Sequence, residues 1–220
     1  MDDLSLRDFG ANGLLIEFAQ VADESSLSRC RGLLRALEEY SLDDLGEVVP
    51  AYGSILLEFG GQETRKLARG LLPEILSKAV ALPSSEARLH EIPVVYDGPD
   101  LEALAQRTGL SVAEVIRLHS AVEYSVFLIG FSPGFPYLGP LDERLHAPRL
   151  ESPRLKVPAG SVGIGGEHTG IYGISSPGGW WLIGRTAVEL YSLAKAEGDG
   201  DPSAFLLRQG ERVKFVPVNA

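Results

Sequence analysis

The sequence predicts an α+β protein of two domains, an N-terminal α/β domain with ferredoxin-like element order followed by a C-terminal β-barrel domain. Three observations predict it. Over the first 95 residues, short apolar runs alternate with stretches of helical periodicity. The 57 residues from Ile129 to Arg185 then hold 12 of the 25 glycines and 7 of the 14 prolines. Helices do not persist at that density, whereas short strands joined by tight turns do, in a barrel or a sandwich. Finally, 220 residues with 45% apolar and 23% charged side chains suit a chain that buries a core, in one large domain or two small ones.

Element by element, Gly13–Ala19 reads as a strand. Ser25 and Ser26 offer N-caps to a helix whose Leu27, Cys30, Leu34 and Leu37 repeat at the 3–4 residue spacing of one buried face. Val48–Tyr52 and Ile55–Phe59 form a hairpin signal around Gly53-Ser54. A second helix places Leu67, Leu71 and Ile75 on one stripe, with Pro73 as a point of kinking or breakage. Leu89–Tyr96, where Pro93 suggests an edge or a strand end, completes a β-α-β-β-α-β order. Pro99-Asp100 opens a helix ending at a left-handed cap on Gly109, and Ser111 with Glu114 forms a capping box for another helix through His119. Tyr124–Gly130, Trp180–Ile183 and Val213–Val218 are the clearest later strands, with a short helix over Ala187–Ala196. The boundary falls near residues 85–95, giving domains of 1–88 and 89–220.

Charge narrows the function classes. Twenty basic against thirty acidic residues give a net charge of −10, which repels nucleic acid and anionic membrane unless the basic residues cluster. No apolar run approaches the roughly 18 residues of a membrane span, and the acidic start Met1-Asp2-Asp3-Leu4 is unlike a signal peptide. A lone cysteine, Cys30, fits a reducing compartment, so a cytoplasmic location is expected. The stretch Ile129–Thr186 is different: five cations against four anions make it +1, leaving −11 for the rest. Within it, Arg149 and Arg154 each follow a proline, and stiffly held arginines beside glycine turns make a seat for carboxylate or phosphate. Pairing with local acids such as Glu151 is the equally good structural alternative.

Two motif matches dissolve on inspection. Gly130-Phe131-Ser132-Pro133-Gly134 spells the serine-hydrolase elbow, but the residue after the serine must donate an oxyanion-hole N–H, and proline has none. A turn is the better reading. Gly179 to Thr186 has P-loop spacing with Arg185 in place of lysine, yet Trp180-Trp181-Leu182-Ile183 is a strand former rather than a phosphate-cradling loop. The four histidines are too scattered for a metal site, so no metal is expected. His90 and His146 read as hydrogen-bonded structural residues, while His119 and His168 are candidates to touch a ligand.

A series of ordered motifs carries a resemblance. Gly130-Phe131-Ser132-Pro133-Gly134-Phe135-Pro136-Tyr137-Leu138-Gly139, Pro148-Arg149, Pro153-Arg154, Val157-Pro158-Ala159-Gly160-Ser161-Val162, Thr169-Gly170-Ile171-Tyr172, Ser176-Pro177-Gly178-Gly179-Trp180 and Ile183-Gly184-Arg185-Thr186 together resemble the family of B-type subunits of ATP-dependent 5-oxoprolinase. That family is also called allophanate hydrolase subunit 1, carboxyltransferase subdomain C/D and KipI-type kinase inhibitor. The likeness runs from about Leu4 to Val218, with His168 standing where glutamine is expected and Glu211 where aspartate is usual. It implies a cyclophilin-like barrel and two partners, a larger C-type subunit of the carboxyltransferase subdomain A/B kind and an A-type subunit. It also implies cleavage of 5-oxo-L-proline to L-glutamate, with ATP hydrolysis at the level of the complex. On that footing His119, Arg154, Lys156 and Arg185 are the candidate catalytic or anion-facing groups. The candidate binding walls are Gly163, Gly165 and Gly166, then His168, Thr169 and Tyr172, and then Ser176, Pro177, Gly178 and Gly179. The family's other members imply two alternatives, an inhibitor that docks on a sensor histidine kinase and a urea- or allophanate-handling carboxyltransferase component.

Overall fold

The structure, a computed structural model, describes residues 4–19, 23–82, 87–196 and 201–219. The chain divides into two compact units, Met1–Glu86 and Ala87–Ala220. Residues 85 and 86 of the expected boundary stretch, and Met1–Asp3 of the acidic start, lie outside the described residues.

In the first unit the strands β1 (Ser5–Phe9), β2 (Gly13–Glu17), β3 (Leu45–Pro50) and β4 (Ser54–Phe59) form an antiparallel sheet of order β1-β2-β4-β3. The helices α1 (Glu24–Glu38) and α2 (Gln62–Ser77) pack on it. Leu14, Ile16, Ile55 and Leu57 alternate along the two central strands, so all four point to one face and meet Leu33, Leu37 and Leu72 from the helices. Each such fully buried aliphatic side chain contributes on the order of 1.5–3 kcal/mol.

The ferredoxin-like arrangement is permuted relative to the sequence reading. Its outer strand next to β2 is β1, from the start of the chain, and Leu89–Val94 belongs to the second unit instead. Three local expectations also change. Asp23, not Ser25 or Ser26, caps α1: its carboxylate accepts the Ser26 N–H at 2.7 Å, while the Ser26 hydroxyl answers the Asp23 N–H at 3.0 Å. The helix α2 runs through Pro73 without ending. Its buried stripe is Ala68, Leu72, Ile75 and Leu76, leaving Leu67 68% exposed and Leu71 53% exposed.

The second unit is a curled sheet of β5 (Leu89–Val94), β6 (Glu123–Ile129), β7 (Pro136–Gly139), β8 (Arg154–Val157), β9 (Ser161–Gly165), β10 (His168–Ile171), β11 (Ser176–Gly178), β12 (Trp181–Arg185) and β13 (Arg212–Pro217). Seven of these run in the order β12-β9-β10-β7-β6-β13-β5, antiparallel except for the β5–β13 pair; β8 and β11 make a separate pair. The outermost strands meet through a bridge in which Val95 and Arg185 exchange two backbone hydrogen bonds of 2.9 Å, so the sheet curls round and joins at that point. Val126, Leu138, Ile164, Ile171, Val213 and Phe215 belong to its core. The helices α3 (Leu101–Thr108) and α4 (Val112–Ser120) pack against β12 and β13 and carry the caps the sequence predicts: Gly109 at φ 71°, and the Ser111/Glu114 box. The expected helix over Ala187–Ala196 shrinks to α5 (Leu193–Ala196), because the backbone on either side of Tyr191 is drawn into an antiparallel bridge opposite Phe205: Leu206 N–H donates to Leu190 O at 3.0 Å and Ser192 N–H to Ala204 O at 2.8 Å.

Candidate small-molecule site

One end of this unit is built from rings. Phe135 lies edge-on to Tyr172 and Trp180, each at 5.1 Å between centroids, and to Phe131 at 5.4 Å. Such edge-to-face pairs add about 0.5–1.5 kcal/mol each beyond the area they bury. With Tyr137 these rings wall a cavity of about 260 Å³. That is just under the roughly 300–1,000 Å³ of sites for drug-sized ligands, so it suits a smaller molecule.

The glycines around the cavity are there to admit the rings. A Cβ on Gly165 would lie 2.7 Å from the Trp180 ring, and one on Gly178 would collide with the Tyr172 hydroxyl. Gly173 is pressed against the Pro133 carbonyl, seating the 130–134 loop on the connection from β10 to β11. That loop is a closed turn: Gly130 N–H donates to Phe135 O at 3.0 Å, and Phe135 N–H to Ser132 O at 3.1 Å. At its tip Phe131 holds φ 68° and is 62% exposed. A bulky side chain in the left-handed region stores strain, of the order of 1–3 kcal/mol, and such residues cluster at ligand clamps.

The rim supplies polarity. Burial raises the Tyr172 phenol above its ordinary range, against a smaller lowering by the Trp180 backbone N–H, so the hydroxyl stays protonated and able to donate. Arg149 lines the cavity beside Leu150 and Pro153. Its backbone is fixed on both sides: Trp181 Nε1–H donates to Pro148 O, and Leu150 N–H donates to Gly179 O, each at 2.7 Å.

A second polar cluster in the same unit is closed. His119 is fully buried on α4, stacked on Phe215 at 4.5 Å. Thr169 gives its hydroxyl hydrogen to Gly163 O at 3.0 Å and so must accept from His119 Nε2–H at 2.8 Å. The other ring nitrogen, Nδ1, then accepts from the Tyr96 hydroxyl at 2.7 Å. Burial pushes the imidazole down to about 3 and raises Tyr96, so both groups are neutral, and every hydrogen bond the ring can make is made.

The four cationic or basic candidates do not converge. Arg154 pairs with Asp100, whose other oxygen accepts Leu182 N–H at 2.7 Å; the pair ties β8 to β12. Arg185 pairs with Asp97 at 2.9 Å, Lys156 is exposed on β8, and His119 sits in the closed cluster. Among the described residues, the cation lining the cavity is Arg149. Of the candidate walls, Tyr172, Pro177, Gly178 and Gly179 do line it. Gly163 and Thr169 serve His119, Gly165 ends β9 against the Trp180 ring, Gly166 begins the β9–β10 turn, and Ser176 Oγ is buried with no partner among the described residues. His168 packs edge-on to Phe127 and Tyr137, and burial lowers its imidazole, leaving it neutral behind the cavity wall. The sequence marks residues 130–134 as a turn but gives no sign that Phe131 and Phe135 share a pocket with Trp180. No local pattern joins residues 131–137 to 172–180. Among the described residues no cluster of histidine, cysteine, aspartate or glutamate fits a metal ion, and no helix is long and apolar enough to cross a membrane.

Comparison with known families settles the chain's affiliation. The family described as carboxyltransferase domain, subdomain C and D, matches residues 4–198. The chain belongs to that family. Across 97% of its length, and 92% of the relative's, it is 36% identical to the B-type subunit of 5-oxoprolinase from Bacillus subtilis (strain 168). It is 55% identical to the corresponding 5-oxoprolinase subunit of Escherichia coli O157:H7 over 60% of the chain, a stretch that spans 59% of that relative. The solved structure of TTHA0988 superposes with a TM-score of 0.82 at 38% identity, covering 96% of this chain and 40% of that one. Kluyveromyces lactis urea carboxylase, at 21% identity and a TM-score of 0.73, shares the fold.

Proposed function

We propose that the chain is the B-type subunit of an ATP-dependent 5-oxoprolinase, acting with the A-type and C-type subunits in the cytoplasm to hydrolyse 5-oxo-L-proline to L-glutamate. The observation that carries this reading is the end-to-end likeness to the Bacillus subtilis 5-oxoprolinase protein. The cavity is consistent with it. A five-membered lactam acid is small, has an apolar ring edge for Phe135, Tyr172 and Trp180 to face, and has a carbonyl that the protonated Tyr172 hydroxyl can donate to.

Nucleotide is a poor fit for this chain. The segment with P-loop spacing is strand β12, and Arg185 at its end is engaged by Asp97. The N-terminus of α4 is closed by its own capping box. ATP is therefore assigned to the complex, and this chain's residues are asked only to bind, orient and shield the small acid.

Purified A-, B- and C-type proteins assayed together for ATP-dependent glutamate release test the reading. Release should require this chain. Equal rates in its absence would overturn the proposal.

A further inference from the structure

We infer that Arg149 is the specificity-determining residue of the cavity, anchoring the carboxylate of the small cyclic acid whose ring the aromatic walls hold; the inference rests on the functional reading above. Three features single it out. Of the five cations in Ile129–Thr186, Arg144, Arg154 and Arg185 are committed to Asp142, Asp100 and Asp97, and Lys156 lies away from the cavity. Among the described residues Arg149 has neither an ion pair nor a hydrogen bond, although Glu151 lines the adjoining groove with it. Its backbone is clamped by the Trp181–Pro148 and Gly179–Leu150 hydrogen bonds, so the root of the side chain is pre-positioned.

The wider surroundings agree in sign. That groove, about 550 Å³, opens beside the cavity and shares Arg149 and Leu150 with it. It also presents Arg107, whose guanidinium lies 5.8 Å from the Trp181 ring centroid. Two guanidiniums against one carboxylate give the rim a positive bias in a chain of net charge −10. A planar guanidinium binds a carboxylate through two parallel N–H···O bonds, and an uncharged lactam offers it nothing comparable. The site should therefore discriminate between 5-oxoproline and its decarboxylated analogue 2-pyrrolidinone, which has the same ring and no acid.

The experiment uses the reconstituted complex with wild-type, Arg149→Met, Arg149→Lys and Arg144→Met chains. In Arg149→Met the KM for 5-oxoproline is expected to rise about ten- to hundredfold with kcat within about twofold, since one charge-assisted contact is lost. The ability of 2-pyrrolidinone to compete should be unchanged. Arg149→Lys should recover part of the loss, and Arg144→Met should behave as wild type. An unchanged KM in Arg149→Met, or an equal loss of affinity for acid and neutral lactam, would overturn the assignment of Arg149 while leaving the functional reading intact. A wild-type complex inert toward 5-oxoproline would instead overturn that reading.

Discussion

The His119 cluster and the ring-walled cavity lie in the same unit, and both combine aromatic and polar groups. They differ in whether the polar groups are satisfied. Tyr96, His119, Thr169 and the Gly163 carbonyl form a sealed chain in which each hydrogen has an acceptor. The cavity keeps Arg149 without a partner among the described residues, Phe131 strained and exposed, and a hollow of about 260 Å³ between its rings. A polar cluster that satisfies itself holds the fold together, whereas one left incomplete under strain is where a ligand finishes the set. Histidine is the residue most often suspected of chemistry, yet here it sits in the closed cluster.

The largest effect that sharpens this contrast is on stability. His119→Ala leaves the Tyr96 and Thr169 hydroxyls short of a partner and opens a hole beside Phe215, so urea denaturation should show a loss of about 3–5 kcal/mol. The KM of whatever remains folded should be unaltered. A variant of normal stability with a raised KM would move His119 into the ligand site.

The same cluster sets a pH dependence. The imidazole is neutral in the folded chain down to about 3, while in the unfolded chain it takes a proton near its ordinary value of 6.5. Between those values the unfolded state binds more protons, so stability is full above about 6.5 and falls as pH drops toward 3, by up to about 1.4 kcal/mol per pH unit. In His119→Gln, where an amide replaces the titrating ring, that contribution to the slope should vanish in parallel urea titrations at pH 7, 6 and 5.

The smallest effect concerns the loop tip. Because Phe131 occupies the left-handed region, Phe131→Gly should be more stable than Phe131→Ala by about 1 kcal/mol, while both lose affinity for the small acid. Thermal unfolding of the two variants checks the order. Equal stabilities would mean the strain at this position is absent in solution.

What the sequence reveals and what it hides follows from the range of the interactions. Gly109 as a left-handed cap and the Ser111/Glu114 box are decided within four residues, and both are legible. The strand Ser-Leu-Arg-Asp-Phe of β1 is mostly exposed and so carries no apolar alternation; it is a strand because β2 offers it a backbone edge. The stripe of α2 is misread because leucines at 67 and 71 mimic a buried face that the sheet assigns to Ala68 and Leu72. At the site, Pro177, Gly178 and Gly179 are legible as backbone that admits a close neighbour. Choosing among the arginines is not, because Arg154 and Arg185 are claimed by Asp100 and Asp97, whose proximity only the fold creates.

The most direct measurement is a crystal structure of the complex containing this chain, grown with 5-oxoproline. The ligand ring should lie between Tyr172 and Trp180, with its carboxylate within hydrogen-bonding distance of the Arg149 guanidinium. A 5-oxoproline molecule bound elsewhere, with the ring-walled cavity holding only water, would contradict the central claim.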